Sequence, residues 1–319
     1  EAAKKVSALV DDLGIRIIHA HARIPAWLST GICRRKGIKL VTTYHGTYVS
    51  GPFWNMVTKP GDLTIAVSQD VKEYLIREFK FDSKRTIVVP NGIDTSLYSP
   101  PTAEESQAAR DLFQVPADAG PVLVYASRMD PGLSDTAVAV SNAVDSLLEK
   151  YPGLTLIVAG DGDGLTRVKD NAARVNQRAG RKAVLCPGFV LDTAALCQAA
   201  DLVLGMSRAL LEGMSAGRPA IVTGPNGAFG AVTQENVPLL EDRNFTSRGA
   251  TEPSTPEVIA REIDNLLSRP DLTKNLGRLS RKVVVDTHSM EMMAARVIEV
   301  YQAVTSGGFS PPFASRRLP

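Results

Sequence analysis

Three of the chain's four histidines cluster near its start: His19 and His21 flank Ala20, and His45 precedes Gly46. Alternate residues of a strand share a face, so His19 and His21 point the same way if residues 15–21 are extended. Three imidazoles could hold a metal ion at about 2 Å with an open coordination position. No nearby carboxylate or cysteine completes such a ligand set, and the other reading is that His19 and His21 are satisfied by ordinary hydrogen bonds. His45, at a strand end before a glycine, is expected to face a ligand. Asn91-Gly92 follows a further strand and reads as a tight turn.

A second set suits phosphate. In Tyr125-Ala126-Ser127-Arg128-Met129-Asp130 a strand gives way to a loop, and the Arg128 guanidinium offers a planar fork to phosphate oxygens. The competing reading is an ion pair with Asp130. The glycine-rich loop at 160–164 is not followed by Gly-Lys-Ser/Thr, and its two aspartates would repel a diphosphate, so a structural turn is expected. Between Leu204 and Pro219 a strand ends near Gly205 and a helix begins, with Ser207 as its expected cap, Glu212 on its second turn and Gly217 as its stop. The free amides and dipole at such a helix start favour a diphosphate, and a carboxylate at 212 can accept hydrogen bonds from ribose hydroxyls. Arg208 lies four residues before Glu212, so the alternative is a helix-face ion pair.

The elements that position these groups alternate almost from end to end. Strands are expected at 15–21, 40–45, 63–68, 86–90, 122–127, 154–160, 183–186, 202–205 and 219–223. Between them lie amphipathic stretches, such as Val71, Leu75 and Phe79 behind a Ser68 cap. The last long helices are expected at 256–267 and 289–304. Continuous rather than alternating apolar strands, joined by helices, predict parallel sheets covered on both faces, an α/β protein. The turn-rich segment after Asn91 is the expected linker. The expected divisions are 1–98, 99–288, a returning helix at 289–305 and a loose tail at 306–319.

Length and composition agree. The 319 residues suggest two domains, and 44% hydrophobic residues with 22% charged exclude a disordered chain. Lys and Arg number 36 against 34 Asp and Glu, too even a balance for a nucleic-acid binder. Cys33, Cys186 and Cys197 are scattered, which fits buried thiols in a reducing compartment and no structural zinc. No apolar run reaches a membrane span, and no signal peptide is expected; the chain opens at Glu1 rather than Met, as if its start were missing or processed.

Taken together the motifs resemble those of the family 4 retaining glycosyltransferases of GT-B type: HAHARIPAW (19–27), TTYHG (42–46), AVSQDVKEYL (66–75), VPNGID (89–94), SRMD (127–130), VAGDGDG (158–164) and LLEGMSAGRPAIV (210–222). The resemblance implies two Rossmann-like parallel-sheet domains facing across a cleft, the first incomplete because the family's opening strand and glycine-rich loop are absent. It implies transfer of a sugar from a nucleotide-diphosphate sugar, without a bound metal or other cofactor. His45 matches the histidine near the donor sugar, Arg128 the diphosphate arginine, and Glu212 the ribose-binding second glutamate of the family's pair. Gly188, Phe189 and Val190 match the strand end whose backbone reads the base. Ser127, Ser207, Arg208, Ala209 and Leu210 complete the expected donor set, and His19, His21 and Asn91 are expected at sugar or acceptor.

The chain also departs from the pattern: Ser134 stands where the family has a lysine, Leu204 where it has its first glutamate, and a short loop is missing before Glu212. Arg208 is expected to supply the missing positive charge. A saccharide or lipid-linked acceptor is implied, in bacterial envelope or polysaccharide synthesis. The location implied is cytoplasmic, with peripheral membrane contact through Arg34-Arg35-Lys36 beside Trp27 and Leu28. The alternative is a nucleotide-sugar-binding protein without turnover. An oxidoreductase is disfavoured, since no G-x-G-x-x-G follows the first strand.

Overall fold

A computed structural model describes residues 1–306 of the chain. They form two units: Glu1–Gly92 with Asp242–Asn244 and the segment from Glu291, and Ile93–Glu241 with Phe245–Met290. The expected loose tail lies, beyond Ser306, outside the described residues.

The first unit is a parallel sheet of β1 (Ile17–Ala20), β2 (Lys39–Tyr44), β3 (Leu63–Ala66) and β4 (Thr86–Val88), in that spatial order. Helices α1 (Ala2–Asp12), α2 (Arg23–Lys36), α3 (Pro52–Val57) and α4 (Gln69–Phe79) precede or join the strands. Both faces are covered, which is why the strands are apolar at consecutive positions. Val41, Leu63, Ile65, Ile87 and Val89 pack with Val300 and Val304 of the C-terminal helix (Met290–Ser306). On the opposite face Leu40 packs with Ala20, Ala26 and Cys33, and Tyr44 and Ala66 with Val71, Leu75 and Phe81. Burying each such aliphatic side chain stabilises the unit by roughly 1.5–3 kcal/mol. Ser68 occupies the N-cap position of α4 but makes no capping bond; its hydroxyl donates instead to Asp70 Oδ1 at 2.5 Å.

The second unit has six strands in the order β10-β9-β8-β5-β6-β7. They are β5 (Val122–Ala126), β6 (Thr155–Ala159), β7 (Val184–Gly188), β8 (Leu202–Gly205), β9 (Ala220–Gly224) and β10 (Gly227–Ala231), parallel except that β10 runs antiparallel to β9. Alternate residues feed two cores: Val122, Val124 and Ile157 enter one, Leu123, Tyr125 and Leu156 the other. The helices are α5 (Ala103–Leu112), α6 (Leu133–Leu147), α7 (Leu165–Ala179), α8 (Thr193–Ala199), α9 (Ser207–Ser215), α10 (Val237–Glu241), α11 (Pro256–Leu267) and α12 (Pro270–Thr287). A capping box, Thr102 with Glu105, starts α5. The strand order reverses between β5 and β8: β6 and β7 lie to one side, β9 and β10 to the other. The connections leaving β5 and β8 therefore diverge and open a crevice at their carboxyl ends, where sheets of this kind place ligands.

All nine expected strands are present, with bounds within a few residues; the antiparallel β10 and the helices α10 and α12 are additional to those expected.

Candidate functional site

The second unit brings most of the expected phosphate groups to that reversal point. Tyr125 of β5 lies in register with Leu204 of β8, so the loop bearing Arg128 and the start of α9 leave adjacent strand ends. The loop is fixed from beneath. Met129 is fully buried; its amide donates to Asp161 O (2.8 Å) and its carbonyl accepts from Gly164 N (2.8 Å). Ser127 N donates to Ala159 O at 3.1 Å, and its hydroxyl to Arg128 O at 2.8 Å. Gly160, at φ +142, approaches so closely that a Cβ there would overlap the Ser127 carbonyl oxygen. The glycine-rich loop is thus a pedestal for Ser127–Asp130, as its reading as a structural turn expects.

Arg128 projects outward, 80% exposed, and its Nη1 lies 3.0 Å from Asp130 Oδ2. The ion pair with Asp130 therefore exists, and at that exposure it contributes at most about 1 kcal/mol, leaving the guanidinium free to turn to an anion.

Helix α9 sits tightly on β8, because a Cβ at Gly213 would come 2.6 Å from Val203 Cγ1. Ser207 is not its cap. Met206, extended at φ −156 and ψ 163, holds the N-cap position, while Ser207 is left-handed at φ 54 and donates its amide to Phe245 O at 2.8 Å. A non-glycine residue in that conformation stores strain, which concentrates at functional sites. The engaged Ser207 amide leaves those of Arg208 and Ala209 as the first-turn donors. Leu210 points its side chain into the core. Gly217, at φ 74, follows the helix end as expected.

Arg208 Nε donates to Glu212 Oε1 at 2.8 Å, so the helix-face pair is present too. Its members differ: the Arg208 side chain is 66% exposed and that of Glu212 9%. Tyr98, whose hydroxyl shares a 2.7 Å hydrogen bond with Thr193 Oγ1, also faces Glu212; burial and that carboxylate raise its pKa. Sequence reasoning missed Tyr98, which sits in the linker with no motif around it. Gly188 ends β7 and accepts from Gly160 N at 2.8 Å, Phe189 is 71% exposed, and Val190 packs against the core. Ser134 is buried against Gly164, and Leu204 is buried in β8, so neither offers a side chain to the crevice.

In the first unit the histidines converge. His19 Nδ1 lies 2.7 Å from the Tyr301 hydroxyl and Nε2 2.7 Å from Thr43 Oγ1. The His19 and His21 rings are 4.1 Å apart, those of His21 and His45 are stacked at 5.6 Å, and His21 Nδ1 is 3.4 Å from His45 Nε2. Asn91 bonds to the His45 side chain. With both nitrogens engaged, His19 has no lone pair for a metal, and among the described residues no group of three His, Cys, Asp or Glu is arranged to hold one. Burial, then His21 and His45, lower the His19 pKa to about 4; burial and His21 lower that of His45 against the opposing bond from Asn91. Thr43 was visible in the TTYHG motif but its bond to His19 was not, and Tyr301 went unnoticed because it is 282 positions from His19.

Lys36 of the basic cluster is bound to Asp11 at 2.5 Å, leaving Arg34 and Arg35 exposed. No helix of the described residues is long and apolar enough to cross a membrane. The three cysteines are free, Cys33 and Cys197 buried and Cys186 half-buried.

Comparison with known proteins gives a consistent pattern. The Glycosyltransferase Family 4 model matches residues 1–97, and the Glycosyl transferases group 1 model matches residues 120–269. The Bacillus subtilis protein named glycosyltransferase EpsD is 25% identical over 325 residues, spanning 94% of this chain and 80% of that one. A Rickettsia africae glycosyltransferase structure is similar with a TM-score of 0.78 and 22% identity, covering 96% of this chain and 81% of its own. Anabaena HepE, solved in complex with UDP-glucose, gives 0.74 and 18%, covering 94% and 82%.

Proposed function

We propose, for a chain that belongs to the family 4 and group 1 glycosyltransferases of the GT-B fold, transfer of a sugar from a nucleoside-diphosphate sugar with retention of anomeric configuration. The observation that carries this reading is the adjacency, at the reversal of the second sheet, of an outward guanidinium and the opening turn of α9. Departure of a nucleoside diphosphate develops negative charge on its phosphate oxygens. Donors fixed in advance stabilise that charge without reorganising as the bond breaks. Arg128, Arg208 and the amides of Arg208 and Ala209 are the donors available, and none of these contacts requires a metal. Glu212 would accept hydrogen bonds from the ribose, and the backbone at Gly188–Val190, with Ser127 nearby, would meet the base. His45 would meet the donor sugar as a neutral ring, with His21, His19 and Asn91 holding it or contacting sugar and acceptor.

The acceptor class we infer is a saccharide or lipid-linked saccharide of bacterial envelope or polysaccharide synthesis, handled at the cytoplasmic membrane face. Exposed Ile24 and Trp27 on α2, with Phe53 and Met56 on α3, support peripheral contact with lipid. The UDP-glucose complex of Anabaena HepE supports a uridine nucleotide as the first donor to try.

A second reading, binding without turnover, draws on the buried Ser134 and Leu204, which leave the crevice without the family's lysine and first glutamate. Incubation with UDP-glucose and a panel of saccharide and lipid-linked acceptors separates the two. We expect UDP release with an α-linked product, read from anomeric proton coupling. Binding with no consumption of donor assigns the second reading, and an inverted product removes retention.

A further inference from the structure

At the opposite end of the second sheet, away from the carboxyl ends that carry Arg128 and α9, lies a cavity of about 810 Å³. Its walls come from the amino ends of β5, β8 and β9, at Pro121, Leu202 and Pro219, and from α11 and α12. That volume is in the range of small-molecule sites.

Its charge is unbalanced. Arg218, Lys274, Arg278 and Arg281 line it against a single carboxylate, Asp201, which is already 2.8 Å from Arg110. Arg281 places Nη1 within 2.8–3.1 Å of the carbonyl oxygens of Thr95, Tyr98 and Ser215 and, among the described residues, has no carboxylate partner. Arg218 donates Nε to Cys197 O (3.2 Å) and Nη2 to Gln198 O (2.8 Å). The Cys197 and Gln198 carbonyls close α8 and that of Ser215 closes α9, and these negative ends offset only about half a charge each, while Thr95 and Tyr98 offer neutral loop carbonyls. Lys274 and Arg278 are exposed at the rim; among the described residues Lys274 forms no ion pair and Arg278 only a 3.3 Å bond to Asn275. Burial lowers the pKa of both Arg218 and Arg281, for Arg218 against the opposing charge of Asp201. The same lining carries accessible apolar groups, Leu267 with Pro100, Pro121 and Pro270, over the buried Leu202, Leu266 and Pro219.

We propose that this cavity is a second binding site, for a small phosphorylated molecule that sets its phosphate among Arg281, Lys274 and Arg278 and an apolar or ring portion on the leucine and proline lining. Phosphate is favoured over a carboxylate because three guanidinium and ammonium groups of one helix line a single cavity, and a dianion with three oxygens offers acceptors to more than one of them. The site does not depend on the donor reading, since it shares no residue with the crevice at the carboxyl ends.

The probes are phenyl phosphate and inorganic phosphate, titrated calorimetrically into the full chain, into K274A/R278A and into R128A. Removing two rim cations that hold no structural contact beyond Asn275 keeps the fold, which the melting temperature verifies. Phenyl phosphate is expected to bind wild type at least threefold more tightly than inorganic phosphate, at least fivefold more weakly in K274A/R278A, and unchanged in R128A. Unaltered affinity in K274A/R278A, loss of binding in R128A, equal affinity for the two probes, or no binding to wild type overturns the proposal.

Discussion

Arg208 and Glu212 show how an ordinary helix pair can serve a site. The carboxylate is buried and the guanidinium mostly exposed, so the pair is a poor source of stability but a preorganised one: Glu212 holds Arg208 over the first turn of α9. Arg208→Ala is expected to weaken nucleoside-diphosphate binding roughly fivefold, about 1 kcal/mol, the net size of one hydrogen bond at an exposed position. Calorimetric titration with UDP measures it, and unchanged affinity removes Arg208 from the cradle. The histidines make a claim about pH. His19 is neutral in the fold because burial and two neighbouring imidazoles lower its pKa from 6.5 to about 4. Between those values the unfolded chain binds more protons than the folded one, so this contribution is complete above pH 6.5 and is lost as pH falls toward 4. Thermal melts across that window are expected to show falling stability with acid, with a shallower slope in His19→Asn; equal slopes would contradict it. His19 and His21 were visible as a pair on one strand face. What satisfies His19 was not, since Tyr301 reaches it from the other end of the chain.

Elements turn these residues into a site. Gly160, Gly162 and Gly164 hold the Arg128 loop by contact with Ser127, Met129 and Ser134. Gly160→Ala is expected to cost about 2–3 kcal/mol, because the residue must keep a left-handed backbone and also push the Ser127 carbonyl aside. It should weaken nucleotide binding as well, since the displaced carbonyl belongs to the loop that aims Arg128. Chemical denaturation beside a UDP titration checks both, and lost stability with intact binding would show that the pedestal does not position the arginine. The strands of the second sheet's centre, β5, β6, β8 and β9, were legible because each is an apolar run buried at nearly every position. β10, Gly-Ala-Phe-Gly-Ala, was not: small residues in an antiparallel edge strand carry little hydrophobic signal. For α12 the signal existed, in Leu272, Leu276, Leu279 and Val283 at helical spacing, diluted by charged residues between them. The Ser207 cap failed for a tertiary reason. The Phe245 carbonyl claims the Ser207 amide, and the cap falls to Met206, a contact across 38 positions that no local pattern contains.

For the molecule as a whole, sheet topology explains why scattered motifs act together. Residues 127–130 and 207–212 are far apart in sequence, yet the strand order 10-9-8-5-6-7 makes their parent strands neighbours and turns their connections in opposite directions. The class of fold could be read from alternation alone, whereas the strand order could not, because nothing in a run of valines and leucines says which strand it will join. The first unit is completed in a similar long-range way, by Val300 and Val304 packing under β2, β3 and β4. The most direct test of the diphosphate cradle is UDP binding to wild type and to Arg128→Ala, followed by melting temperature as a function of nucleotide concentration. A ligand that binds only the folded chain must raise that temperature with concentration. We expect a clear rise for wild type and, in Arg128→Ala, an affinity at least about tenfold lower, or ~1.4 kcal/mol, with the unliganded melting temperature unchanged because the Asp130 pair is exposed. Equal stabilisation of both proteins, or no response of wild type to any nucleoside diphosphate, would contradict it.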